Sequence, residues 1–103
     1  MDLGLQDKVA IITGASDGIG LAAAISMAGD GARVAIIARD QGRLDAAVEQ
    51  IKAAGSGNVL ALSADVRDKA AVQAAVDKVV SEWGTVHILV NNAGTSSANR
   101  VDE

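Results

Sequence analysis

Four short apolar runs, separated by segments with helical spacing, constrain this chain more than any other feature. Lys8-Val9-Ala10-Ile11-Ile12-Thr13, Arg33-Val34-Ala35-Ile36-Ile37-Ala38, Val59-Leu60-Ala61-Leu62-Ser63 and Val86 to Val90 each have the length of a strand. They are apolar nearly throughout, so both faces of each strand must be covered. Between the first two runs, Ile19 to Met27 is rich in alanine and closes around Gly29 and Gly31. Asp40 can cap a second helix, in which Leu44, Ala47, Val48 and Ile51 recur on one face, with Gly55 past its end. Asp68 can cap a third, with Val72, Ala75, Val76, Val79, Val80 and Trp83 along one stripe. The last nine residues are small or polar and read as loop.

The order is β-α-β-α-β-α-β, which predicts a parallel sheet with helices on both faces. Right-handed crossovers place the first two helices on one face as the chain winds outward through three strands. The third helix returns on the other face, giving the sheet order 3-2-1-4. With 103 residues, half of them hydrophobic, residues 1–103 are expected to form a single domain around one modest core. Trp83 is the sole aromatic residue, so that core must be built from Ala, Val, Ile and Leu.

Composition also excludes several functions. The net charge is −4 and no cluster of Lys or Arg is present, which argues against a nucleic-acid partner. There is no cysteine, hence no disulfide framework and no thiolate metal site. No secretory signal and no run long enough for a membrane span is visible, so a soluble, cytoplasmic protein is expected.

Gly14-Ala15-Ser16-Asp17-Gly18-Ile19-Gly20 lies where the first strand feeds the first helix. Glycines there let the backbone turn sharply and approach a pyrophosphate, while the helix N-terminus offers free N–H groups and partial positive charge. Gly18-Ile19-Gly20-Leu21-Ala22-Ala23 satisfies the looser G-x-G-x-x-A dinucleotide pattern. A glycine turn used only for close helix–strand packing is the alternative. Ser16 can meet the phosphates through its hydroxyl or simply cap the turn. Together with the strand order, these residues predict a Rossmann-type three-layer α/β/α fold, here a truncated doubly wound sheet.

Thr13-Gly14-x-x-x-Gly18-x-Gly20 is similar to the T-G-x-x-x-G-x-G fingerprint of the short-chain dehydrogenase/reductase family. Asn91-Asn92-Ala93-Gly94 matches that family's N-N-A-G motif, and Asp65-Val66 follows the third strand where the family keeps an acidic residue. The resemblance implies that Asp65 and the backbone of Val66 hold the adenine ring. It implies that Asn91 steadies the central strand and borders the adenine ribose, with Ala93 and Gly94 lining the cofactor cleft. Read by themselves, Asp65 is rather a turn carboxylate and Asn91-Asn92 a bridge to backbone at a strand end; their joint spacing with the glycine turn reverses that.

The end of the second strand bears on cofactor choice. An acidic residue there would bind the ribose 2′-hydroxyl of NAD, and an arginine nearby the 2′-phosphate of NADP. The chain has Ala38 followed by Arg39, which favours NADP over NAD. Alternatively Arg39 is a solvated side chain pairing with Asp40 or Asp17. Asp17 itself weakens the NADP reading, because many NADP-preferring relatives place a basic residue there. His87 reads as a surface histidine and Trp83 as packing.

The resemblance also implies a catalytic set of tyrosine, a lysine four residues later, serine and asparagine, all beyond the N-N-A-G motif. This sequence contains no tyrosine and continues only nine residues past Gly94. Two readings follow. One is the cofactor-binding portion of an oxidoreductase that moves hydride between NADP(H) and an alcohol or ketone, inactive alone. The other is a stand-alone nucleotide-binding module without catalysis. The loop-like ending favours the first. An unpaired fourth strand and a partly covered sheet face predict self-association.

Overall fold

A computed structural model describes residues 4–16, 18–55 and 58–92. Its elements are β1 (Val9–Thr13), α1 (Gly18–Gly29), β2 (Arg33–Ala38), α2 (Gln41–Ala54), β3 (Val59–Ser63), α3 (Lys69–Trp83) and β4 (Ile88–Asn91). The strands form one parallel sheet in the order β3-β2-β1-β4, as expected. Successive side chains on the central strands divide between two cores, which is what three layers require. Ile12, Val34, Ile36 and Ala38 pack with Ala24 and Ala28 of α1 and Leu44, Ala47 and Ile51 of α2. Val9, Ile11, Ala35 and Ile37 face the other way, onto Ala75 and Val79 of α3, with Trp83 beside them.

The helix ends follow the sequence. Asp40 accepts a hydrogen bond from the Arg43 N–H at 3.0 Å, and Asp68 one from the Ala71 N–H at 3.1 Å. Gly55 closes α2, yet not in the left-handed conformation such glycines commonly adopt: φ is −134°. What requires glycine there is contact, because a Cβ would run into the carbonyl of Ala28 on α1. The alanine-rich helix and this bare backbone let α1 and α2 lie close together.

β4 begins at Ile88, two residues later than the apolar run suggested, and extends to Asn91. The cause is His87. Its N–H donates to the Val9 carbonyl at 2.9 Å, but the Val9 N–H donates to the imidazole Nδ1 at 3.0 Å. In a continuing parallel ladder that acceptor would be the backbone carbonyl two residues before His87, that of Thr85. His87 is exposed, as expected, but it also satisfies a buried strand. Among the described residues no helix is long and apolar enough to cross a membrane.

Candidate nucleotide site at the strand C-termini

The C-terminal ends of the four parallel strands lie along one rim of the sheet, and those expected site residues that the structure describes collect there. At the end of β1 the chain turns through Gly14, whose φ of +67° is in the left-handed region. Its N–H donates to the Ile37 carbonyl at 2.8 Å, tying the turn to β2. Ala15 is fully buried beneath the turn and Ser16 is half-buried. Helix α1 starts at Gly18, so its first-turn N–H groups are not consumed by the helix. Open space adjoins Gly18, and Ile19 is 80% exposed. Gly20 is different: a Cβ there would lie 2.5 Å from the Gly14 carbonyl oxygen and 2.7 Å from Asn92 Nδ2. The first turn of α1 therefore rests directly on the backbone of the glycine turn.

The ends of β1 and β4 are joined by side chains. Thr13, 5% exposed, directs its hydroxyl at Asn91 Oδ1 (3.0 Å) and the Val90 carbonyl (3.4 Å), and accepts from the Asn92 N–H at 3.0 Å. Asn92 Nδ2 donates to the Gly14 carbonyl at 3.4 Å. Asn91 and Asn92 thus bridge the strand ends, one through a side chain and one through backbone. Thr13 entered the sequence reading only as part of a fingerprint, and its role here was missed. The signal was present: a hydroxyl closing an apolar strand is buried, and a buried hydroxyl must find partners.

At the ends of β2 and β3, the Ala64 N–H donates to the Ala38 carbonyl and Ser63 Oγ donates to the Arg39 carbonyl, each at 3.0 Å. Arg39 leaves this corner largely exposed. Its partner is Asp65, at 3.4 Å between Nη1 and Oδ2. Pairing with Asp40 is thereby corrected: that carboxylate is turned to cap α2, and the parallel register (Ala38 beside Ser63) brings residue 65 next to residue 39. Asp17, Ala93 and Gly94 lie outside the described residues.

Asp65 is gripped more firmly by Arg67, a residue the sequence did not single out. Oδ1 accepts from the Arg67 backbone N–H at 2.9 Å and from Nε at 3.1 Å, and Oδ2 from Nη2 at 2.9 Å. The turn-carboxylate reading of Asp65 is therefore realised. The side-chain and backbone hydrogen bonds from Arg67 hold its pKa far below the ordinary aspartate range. Val66 sits at the edge of a small cleft of about 130 Å³ on the α3 face, which Leu89 and Asn91 also line.

A parallel 3-2-1-4 sheet carrying a glycine turn between β1 and α1 defines a Rossmann-type fold. More narrowly, the chain belongs to the short chain dehydrogenase family, whose model matches residues 8–103. A short chain dehydrogenase of Pseudocercospora fijiensis is 48% identical over 90 residues, 87% of this chain and 29% of that protein. The 3-oxoacyl-acyl-carrier-protein reductase of Staphylococcus aureus is 42% identical over 93 residues, 89% of this chain and 37% of its own length. L-sorbose reductase from Gluconobacter frateurii, solved in complex with NADPH and L-sorbose, superimposes with a TM-score of 0.87 at 44% identity. That match covers 98% of this chain and 38% of the reductase. The chain thus spans well under half the length of these relatives.

Proposed function

We propose that this chain is the NADP(H)-binding portion of a short-chain oxidoreductase acting on an alcohol or ketone. The observation that carries the reading is an open glycine turn at the head of α1 combined with a cation, Arg39, directly after β2. The residues fit such a cofactor: free first-turn N–H groups suit a pyrophosphate, and a guanidinium suits a 2′-phosphate. When bound, the cofactor supplies or accepts the hydride. In this reading Gly14, Ser16, Gly18, Ile19 and Gly20 hold the phosphates, with Asp17 at the same turn. Asp65 and Val66 hold the adenine, Asn91 borders its ribose, and Ala93 and Gly94 line the cleft.

Arg39→Ala is expected to weaken NADP by about tenfold more than NAD, the scale of one lost charge-assisted phosphate contact. Calorimetric titration with both cofactors measures it, and equal losses would remove Arg39 from the 2′-phosphate. Assayed alone, the 103-residue chain is expected to give no turnover, because it has no tyrosine to serve as the family's proton donor. Steady-state assays across ketones and alcohols, with rigorously purified chain, check this.

Self-association belongs to the same proposal. Among the described residues β4 is hydrogen-bonded to β1 alone, and Leu89 on it is 62% exposed. A short apolar edge without lysine or proline lacks the usual protection against pairing with another chain. Sedimentation at low micromolar concentration is expected to report a dimer or larger species. A stable monomer would refute it.

A further inference from the structure

We propose that Arg67 is a positioning residue for NADP selectivity, compensating Asp65 so that Arg39 can leave that carboxylate for the 2′-phosphate. This rests on the reading above that Arg39 meets the phosphate. The geometry is asymmetric. Arg67 engages both carboxylate oxygens of Asp65 through three hydrogen bonds of 2.9 to 3.1 Å. Arg39 reaches one of those oxygens through a single contact of 3.4 Å. Both guanidinium groups meet at Oδ2, so one carboxylate is shared between two cations.

Two consequences follow from this arrangement. A carboxylate that already accepts three hydrogen bonds from Arg67 holds Arg39 weakly, and Arg39 is released at small cost when a phosphate arrives. The same fork also cancels the negative field that Asp65 would direct at a ligand carrying a phosphate dianion beside it. Without Arg67, Asp65 would draw Arg39 back and repel the 2′-phosphate. Contacts to the adenine are common to both cofactors, so their loss drops out of a ratio. Selectivity is therefore the quantity on which Arg67 acts.

The test uses the 103-residue chain with 2′,5′-ADP and 5′-AMP, ligands that differ by the 2′-phosphate alone. Their Kd ratio is measured by calorimetry in the parent chain and in Arg67→Ala, Arg67→Lys, Arg39→Ala and Arg67→Ala/Asp65→Asn. Arg67 is largely exposed, so its variants are expected to melt with the parent. Arg67→Ala is expected to weaken 2′,5′-ADP relative to 5′-AMP by about fivefold, the scale of a partly exposed charge interaction. Arg67→Lys, which keeps the charge, should lose less. Asp65→Asn in the Arg67→Ala background should restore the ratio, because the uncompensated charge is gone. An unchanged ratio in Arg67→Ala, with Arg39→Ala still lowering selectivity, overturns this inference and leaves the cofactor reading intact. An unchanged ratio in Arg39→Ala, or no binding of either ligand, overturns both.

Discussion

Gly20→Ala is expected to cost roughly 2 to 3 kcal/mol of folding stability, the upper range for a side chain forced into filled space, and to abolish nucleotide binding. For a domain of this size that corresponds to a fall in Tm of roughly 10 to 20 °C. The neighbours of the added methyl decide the magnitude. Two are main-chain atoms, the Gly14 carbonyl oxygen and the Ala15 Cα at 3.0 Å, and backbone cannot swing away as a side chain can. The third, Asn92 Nδ2, is itself bonded to the Gly14 carbonyl. Any relief must lift α1 off the turn and so displace the N–H groups that would face a phosphate. Gly18→Ala is the control. Its φ of +61° is strained for alanine, but a Cβ there meets nothing within 4 Å. Its cost should be about 1 kcal/mol. Thermal melts of both variants, with calorimetric titration of 2′,5′-ADP, separate blocked space from backbone strain. Equal costs would mean that the close approach at Gly20 does not hold.

The contrast between these two glycines marks where sequence reasoning stops. That both belong to one turn could be read from the strand before it and the helix after it. Which is needed for its φ and which for its lack of a side chain could not, because that depends on how the folded turn brings α1 down onto the backbone of Gly14 and Ala15. The same division holds elsewhere. In α2 three of the four expected stripe positions, Leu44, Ala47 and Ile51, are buried and the fourth, Val48, is half-buried, since helical periodicity is local information. In α3 six positions read as a stripe, but only Ala75 and Val79 are buried, and Val80 is 41% exposed. The width of the sheet face beneath a helix is not written in the helix.

Ion pairs were the least legible part of the site. The sequence offers Arg39 both Asp40 and Asp17, whereas its partner in the structure, Asp65, follows β3 and is brought alongside by the strand register. Arg67 carries no motif, and its importance appears only once its fork is seen closing on Asp65. The fingerprint residues were legible because their spacing encodes backbone shape. Their side-chain partners were not, because those are chosen by the sheet.

Thr13→Val should show how far the two recognised motifs depend on one hydroxyl. Valine keeps the shape and removes the oxygen, so the Asn92 N–H loses its acceptor at 3.0 Å and Asn91 Oδ1 loses its donor. Unpairing groups in a half-buried corner costs about 1 to 3 kcal/mol, and we expect about 2. Thr13→Ser keeps the hydroxyl and gives up one methyl, for about 1 kcal/mol. Valine should therefore be the more damaging replacement although it preserves the packing, the reverse of the order for an ordinary core position. The loss is also directional. Thr13 pairs with Asn91 in the β1–β4 register, so removing the hydroxyl loosens the end of β4 beside the turn rather than the middle of the sheet. Amide hydrogen exchange should accelerate at Asn92 in Thr13→Val and stay near the parent rate at Ile11 and Leu89. Nucleotide affinity should fall with it, because Asn92 also holds the Gly14 carbonyl on which α1 rests. If Thr13→Val melts at or above Thr13→Ser and leaves exchange at Asn92 unchanged, the hydroxyl is not what joins the glycine turn to the fourth strand.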